Sequence, residues 1–226
     1  DAVIIATPPA LHAEMARAAV EAGLPVLVEK PLTLNLAEAE SLRDLVAARA
    51  GFVMVDHTHL FHPAFRALKQ TAPQYGALRG ICSEAGNFGP YRTDTPPLWD
   101  WAPHDLAMCL DLVGHFPLRI EAKLVETRQM PEGAGQIIDL QLEFSGGITA
   151  SVRIGNMMPR RRMFSAALDR GTLVYDDLAE DKLVVHVRAT TVETDAPAAT
   201  TRITLASEPP LTCAIREFTS AVRARS

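Results

Sequence analysis

Residues 1–9, Asp-Ala-Val-Ile-Ile-Ala-Thr-Pro-Pro, run from a continuous apolar stretch straight into a helix start. One helix later, Leu24-Pro-Val-Leu-Val-Glu-Lys-Pro31 repeats the pattern. Short uninterrupted apolar runs separated by a helix are what parallel strands covered on both faces require. The chain therefore begins as a β-α-β unit. Pro31 has no N–H for a ladder, so Glu29 and Lys30 fall at the carboxyl end of the second strand. That end of an open α/β sheet is where ligands bind. The alternative is a solvated charged pair at a loop start.

The same patterning continues for about a third of the chain. Pro8 and Pro9 suit the first turn of a helix with Leu11, Met15 and Ala18 or Ala19 facing inward and Gly23 closing it. A second helix is expected from Asn35, with Asn35 and Glu38 spaced as cap and reciprocal partner, Leu42, Leu45 and Val46 as the apolar stripe, and Gly51 as the stop. Phe52 to Asp56 is a third strand, Pro63 opens a short helix through Ala64, Phe65 and Leu68, and Pro73 to Gly76 breaks the pattern.

From Ala77 the texture changes to longer alternating strands. They are expected at 78–87, 118–128, 136–144, 148–154, 163–168, 173–175, 183–187 and 202–205. The alternation of Ile138, Leu140, Leu142 and Phe144 implies an antiparallel sheet with one buried face. Helices near 104–113 and at 211–222 are expected to cover it, and the polar stretch 189–201 to form a hairpin or loop. The fold class is thus α/β plus α+β. A partial, Rossmann-like doubly wound parallel sheet (residues 1–75) is followed by a domain with a large, mostly antiparallel sheet covered by helices (76–226).

Composition narrows the function classes. Hydrophobic residues make up 48% of the 226 and charged residues 22%, so the chain can bury a core, which argues against disorder. The net charge is −5, and basic residues gather only at Arg160-Arg161-Arg162, which argues against nucleic acid as a partner. Those arginines suit a substrate carboxylate or phosphate, or simply a solvated strand end. Cys82, Cys109 and Cys213 are scattered and odd in number, which fits a reducing cytoplasm better than a disulfide framework or zinc cluster. No apolar run approaches the roughly 18 residues of a membrane span, so no membrane partner is expected.

Asp1-Ala-Val-Ile-Ile-Ala-Thr-Pro-Pro-Ala-Leu-His12, Gly23-Leu-Pro-Val-Leu-Val-Glu-Lys-Pro31 and Asp100-Trp-Ala-Pro-His104 resemble, in order and spacing, the glucose-fructose oxidoreductase/inositol dehydrogenase family of nicotinamide-dependent enzymes. Val55-Asp-His-Thr-His-Leu-Phe61 and Asp169-Arg-Gly-Thr-Leu-Val-Tyr175 extend the similarity over nearly the whole chain. The resemblance implies NAD or NADP as cofactor, with Thr7, Pro8 and His12 along it beside Glu29, Lys30 and Pro31. A carbohydrate-like substrate and a homo-oligomer paired through the large sheet are also implied. It equates the first strand here with the family's fourth. About two βα units, on the order of 60 residues, would then precede it, and another helix would follow Ser226. The chain is expected to be part of a longer enzyme. Nowhere does it contain the Gly-x-Gly-x-x-Gly turn of a dinucleotide fold.

Three residues are candidates for chemistry. Lys30 can stabilise negative charge on a substrate oxygen, the role the resemblance assigns to it. Glu29 either orients Lys30 or makes a structural salt link. Asp100 and His104 are four apart, and with Pro103 at a helix start both lie on one face. His104 can take a hydroxyl proton, while Asp100 holds its tautomer or binds a second hydroxyl. The plainer account is an acidic N-terminal residue and a half-buried histidine. His57 and His59 share a strand face, and the resemblance implies that one or both line the substrate or nicotinamide pocket; Tyr91 and Arg92 from the 87–97 loop and Trp99 as a stacking surface are further candidates. A metal held by Asp56, His57, His59 and His62 is the weaker reading, since no distant ligand completes the set. Three functions compete: hydride transfer on a secondary alcohol of a sugar, polyol or sugar derivative, NAD-dependent glycoside cleavage on the same fold, and a non-catalytic binding domain.

Overall fold

The structure is a computed structural model and describes residues 1–187 and 199–225. Three parallel strands, β1 (Val3–Ile5), β2 (Val26–Glu29) and β3 (Val53–Asp56), form one sheet in the order β1-β2-β3. Helices α1 (His12–Glu21) and α2 (Leu36–Ala48) connect them. Ile5, Ala16, Val20, Val26, Val28 and Leu42 make the core of this layer.

The inward face of α1 differs from expectation. A 3-10 turn over Pro9–Leu11 precedes the helix, and His12, Ala16, Ala19 and Val20 are buried, whereas Leu11 and Met15 remain more than 40% exposed. The apolar stripe is displaced by one position because His12 finds hydrogen-bond partners inside. In α2 Asn35 is the cap as expected, its Oδ1 accepting from the Ala37 N–H at 2.8 Å, but no reciprocal bond from Glu38 is present among the described residues; Leu42 is buried. The left-handed turn after it falls on Ala50 (φ 49°), one residue before Gly51.

A helix α3 (Pro63–Thr71) leads to a second sheet of eight strands. They are β4 (Leu78–Phe88), β5 (Arg119–Met130), β6 (Gly133–Glu143), β7 (Thr149–Gly155), β8 (Met157–Leu168), β9 (Gly171–Asp176), β10 (Leu183–Val187) and β11 (Thr200–Arg202). Their order is β11-β10-β9-β8-β4-β7-β6-β5, antiparallel throughout except the parallel pair β4/β7. The expected alternation is present, with Ile138, Leu140 and Leu142 buried along β6. Together with Phe164, Leu173 and Tyr175 they pack beneath α3 and helix α4 (Pro97–Val113). Phe65 meets Phe164 edge to face at 5.5 Å.

Several elements differ from expectation. The last strand is Thr200–Arg202, paired with β10, instead of 202–205. Residues 189–198 of the polar stretch lie outside the described residues. Helix α4 begins at Pro97, which takes the first-turn position, so Pro103 lies inside the helix and does not start it. Helix α5 (Pro210–Arg225) does not lie over the large sheet. It returns to the first layer, where Phe218 stacks on Phe52 at 5.9 Å, Arg225 sits over the same ring, and Glu217 pairs with Arg66. No helix among the described residues is long and apolar enough to cross a membrane.

Candidate active site

Lys30 leaves the carboxyl end of β2 and meets the first turn of α4. Its Nζ donates to Asp100 Oδ1 at 2.9 Å and to the Asp100 carbonyl at 2.5 Å. The two side chains are 18% and 19% exposed, so the pair is shielded but not sealed. The ammonium group is thereby aimed by α4, not by Glu29. Glu29 sits opposite Asp56 in the β2/β3 register, and burial together with that neighbouring carboxylate pushes its pKa up.

Asp100 does not orient His104. The helix places His104 one turn on, with its Nδ1 buried and unpartnered. Its neighbours are two other imidazoles, both edge-on: His59 at 4.9 Å between ring centroids and His57 at 6.1 Å. His59 Nδ1 lies 3.1 Å from the Tyr175 hydroxyl. On the far side Arg162 lies over the Trp101 ring at 5.6 Å, with Nη1 3.6 Å from Asp105 Oδ2. Asp105 Oδ1 accepts from Ser83 Oγ at 2.5 Å.

The histidines are held neutral. Burial, seconded by the Lys30 charge, lowers His57 to about 4, and burial, seconded by Arg162, lowers His59 to about 3. His104 is lowered well below the ordinary range by burial, with His59, Lys30 and Arg162 adding to it. Burial raises Tyr175, which stays a phenol. Burial likewise raises Asp105, against the pull of Arg162 and Ser83. Among the described residues, six buried side-chain polar atoms lack a hydrogen-bond partner: His57 Nδ1, His104 Nδ1, Trp101 Nε1, Asp105 Oδ2, Arg162 Nη1 and, apart from them, Thr95 Oγ1. Such atoms are costly at about 1–3 kcal/mol each, and here His57 adjoins His104 while Arg162 adjoins both Trp101 and Asp105. That concentration fits a polar ligand.

The remaining sequence candidates separate. His12 is fully buried, with Nδ1 2.8 Å from the Pro31 carbonyl and Nε2 2.8 Å from the Thr7 carbonyl. It ties the loop after β1 to the loop after β2, instead of offering a ring nitrogen to a cofactor. Pro31, His57 and Trp99 line a largely apolar pocket of about 440 Å³ against Leu36, Leu106 and Ile120. Arg92 is engaged by Asp94 through Nε and Nη2 at 2.9 and 3.0 Å, and a Cβ on Gly133 would strike the Arg92 backbone. Tyr91 and Arg92 thus belong to a loop anchored on the β5/β6 turn, with Arg92 close enough to Asp100 to feel its charge. His62 also departs from its neighbours: its Nδ1 accepts from the Ala64 N–H and its Nε2 faces Asp177 at 3.1 Å. No group of three or more His, Cys, Asp or Glu among the described residues is placed to hold a metal.

Tyr175 is a pocket residue that the sequence reading misses, and Arg162 is the one of the three candidate arginines that turns inward. The signal was strand parity: Arg162 shares its register with Phe164, Ala166 and Leu168, and Tyr175 with Gly171 and Leu173, all on the buried face.

A family profile described as "Oxidoreductase family, NAD-binding Rossmann fold" matches residues 1–57. The UDP-N-acetylglucosamine 3-dehydrogenase of Acidithiobacillus ferrooxidans is 30% identical over 227 residues, spanning 99% of this chain and 71% of that protein. The chain belongs to the Gfo/Idh/MocA oxidoreductase family. A crystal structure from Magnetospirillum magnetotacticum MS-1, named only in general terms as an oxidoreductase, superposes with a TM-score of 0.90 at 43% identity, covering 98% of this chain and 72% of that one. The 4-carboxy-2-hydroxymuconate-6-semialdehyde dehydrogenase of Sphingobium is 30% identical over 199 residues, and there this chain spans 62% of the relative's length. Membership fixes the enzyme class as NAD(P)-dependent oxidoreductase and the cofactor class as NAD or NADP.

The neutral histidines have a consequence for stability. A histidine whose folded pKa lies below its unfolded value binds more protons in the unfolded chain, so stability is present above about pH 6.5 and drains as pH falls. For His57, His59 and His104 together, acidification from pH 6.5 to 5.5 is expected to cost on the order of 3 kcal/mol. The raised carboxyl groups of Glu29, Asp56 and Asp105 act in the opposite sense, gaining stability with acid. Denaturant titrations across this range check the slope, and His57→Phe is expected to remove about a third of the histidine contribution. An unchanged slope in that variant counts against the assignment.

Proposed function

We propose that the chain supplies the substrate side of a dehydrogenase that oxidises a secondary alcohol of a carbohydrate-like molecule, or reduces the matching ketone. The observation that supports this reading is the Lys30 ammonium group, aimed by Asp100, beside a histidine kept neutral at physiological pH. Lys30 binds the reacting oxygen and stabilises the negative charge that develops on it. His104 accepts the hydroxyl proton, for which a neutral ring is the competent form. Asp100 fixes Lys30, and its second oxygen remains open to a neighbouring substrate hydroxyl. Thr7 and Pro8, with Glu29, Lys30 and Pro31, border the two strand ends where the cofactor would lie, and His12 holds those loops together. The nicotinamide, when bound, accepts or donates the hydride.

On this reading residues 1–75 serve the cofactor and 76–226 the substrate, and the helix-free face of the large sheet pairs with a second copy. Fluorescence titration of NADH and NADPH tests the proposal. It compares the 226-residue chain with a form carrying a Gly-x-Gly-x-x-Gly strand–turn–helix ahead of Asp1. Binding to the extended form, followed by net nicotinamide reduction with polyols or sugar derivatives, is the expected result. Absence of binding to both forms sinks it, and turnover without net reduction points to glycoside cleavage instead.

A further inference from the structure

Tyr175 has a role that the Lys30, Asp100 and His104 set does not include. Its ring is fully buried in the core beneath α3, and among the described residues its hydroxyl has one hydrogen-bond partner, His59 Nδ1 at 3.1 Å. Two proton arrangements satisfy that distance. In the first, the phenol donates to Nδ1. In the second, Nδ1–H donates to the phenol oxygen, and the phenolic proton is left without an acceptor in a buried site. Leaving a buried O–H unpaired is the costly arrangement, so the first is the one that forms. A neutral imidazole with Nδ1 as acceptor carries its proton on Nε2. Among the described residues His59 Nε2 has no hydrogen-bond partner, and it is not one of the sealed, unpartnered atoms, in contrast to Nδ1 of His57 and of His104.

We propose that Tyr175 is a positioning residue that locks His59 as the Nε2–H tautomer, making it a fixed neutral donor to a substrate oxygen beside His104. Two rings whose centroids are 4.9 Å apart then do opposite work: His104 accepts a proton, and His59 donates a hydrogen bond. Burial keeps both partners in the required form, His59 neutral and Tyr175 protonated. The other charged or titratable groups acting on His59 are Arg162, Asp177, His62 and Lys30. The consequence for substrate rests on the function proposed above, whereas the tautomer does not.

Long-range ¹⁵N–¹H correlation spectra of the ¹⁵N-histidine-labelled chain at pH 7 read the tautomer directly. A pyrrole-type Nε2 and an acceptor-type Nδ1 are expected for His59, relaxing to a tautomer mixture in Tyr175→Phe. An Nδ1–H tautomer or an imidazolium in the unsubstituted chain overturns the proposal whatever the enzyme's reaction. The second measurement is a double-mutant cycle on kcat/KM. Tyr175→Phe is expected to lower it about tenfold, the scale of one hydrogen bond. In a His59→Gln background the amide N–H replaces the Nε2 donor without needing a tautomer, and there Tyr175→Phe is expected to change it less than about twofold. Equal losses in both backgrounds reduce Tyr175 to a packing residue and overturn the proposal.

Discussion

Lys30→Met is expected to lower kcat/KM by about 10²- to 10³-fold, the range seen when one preorganised donor to a developing oxyanion is removed. The side chain is close in length, so the loss is one of charge. Asp100, freed of its partner, is 19% exposed and can rehydrate, which spares the fold the penalty of an isolated buried carboxylate. Far-UV circular dichroism and a denaturant midpoint near that of the unsubstituted protein are therefore expected alongside the kinetic loss. Asp100→Asn is expected to cost less. The amide oxygen and the Asp100 carbonyl, 2.5 Å from Nζ, still receive the ammonium group, but its position loosens. A loss below about tenfold in Lys30→Met would mean that another group faces the reacting oxygen.

Much of this arrangement is legible in the sequence, for identifiable reasons. Val26 to Val28 ending at Pro31 places Lys30 at a strand end because a proline cannot extend the ladder. The alternation through Ile138, Leu140 and Leu142 gives the buried face of β6 because the side-chain period of a strand is two. Both are local rules. The face of α1 is not legible, because Leu11, Met15 and Ala18 obey the helical period as well as His12, Ala16 and Ala19 do. The choice is made by the carbonyls of Thr7 and Pro31, which only the folded loops bring to His12. Pro103 misleads for a similar reason. A proline suits a helix start, but Pro97 takes that position, and the interior proline forfeits one backbone bond.

The pocket shows the same division at longer range. Asp100 four residues before His104 suggests a pair, and their helical spacing is real, yet Asp100 turns to Lys30, 70 residues away in sequence. Tyr175 reaches His59 across 116 residues. Neither partnership follows from local spacing, because each depends on how the β8/β9 register and the α4 docking angle bring separate elements together. What the sequence does hold is parity. An arginine and a tyrosine on the apolar phase of their strands, Arg162 and Tyr175, must either be paired or face a cavity.

His104→Phe is expected to reduce kcat for alcohol oxidation by about 10²- to 10⁴-fold, the range for loss of a general base, while the Lys30 site still binds substrate. The more discriminating result is the pH profile. Because His104 is held well below the ordinary histidine range, mainly by burial, it stays a competent acceptor as pH falls through about 6.5. The acid limb of kcat/KM is therefore expected well below that pH. Lys30 is one of the charges that disfavour the imidazolium, after burial and His59. Removing its charge in Lys30→Met favours protonation, so the residual activity of that variant should show its acid limb moved upward, toward neutrality. His104→Phe should abolish that limb. A limb at about pH 6.5 that ignores Lys30→Met and survives His104→Phe would assign the proton to another group and leave His104 as part of the pocket wall.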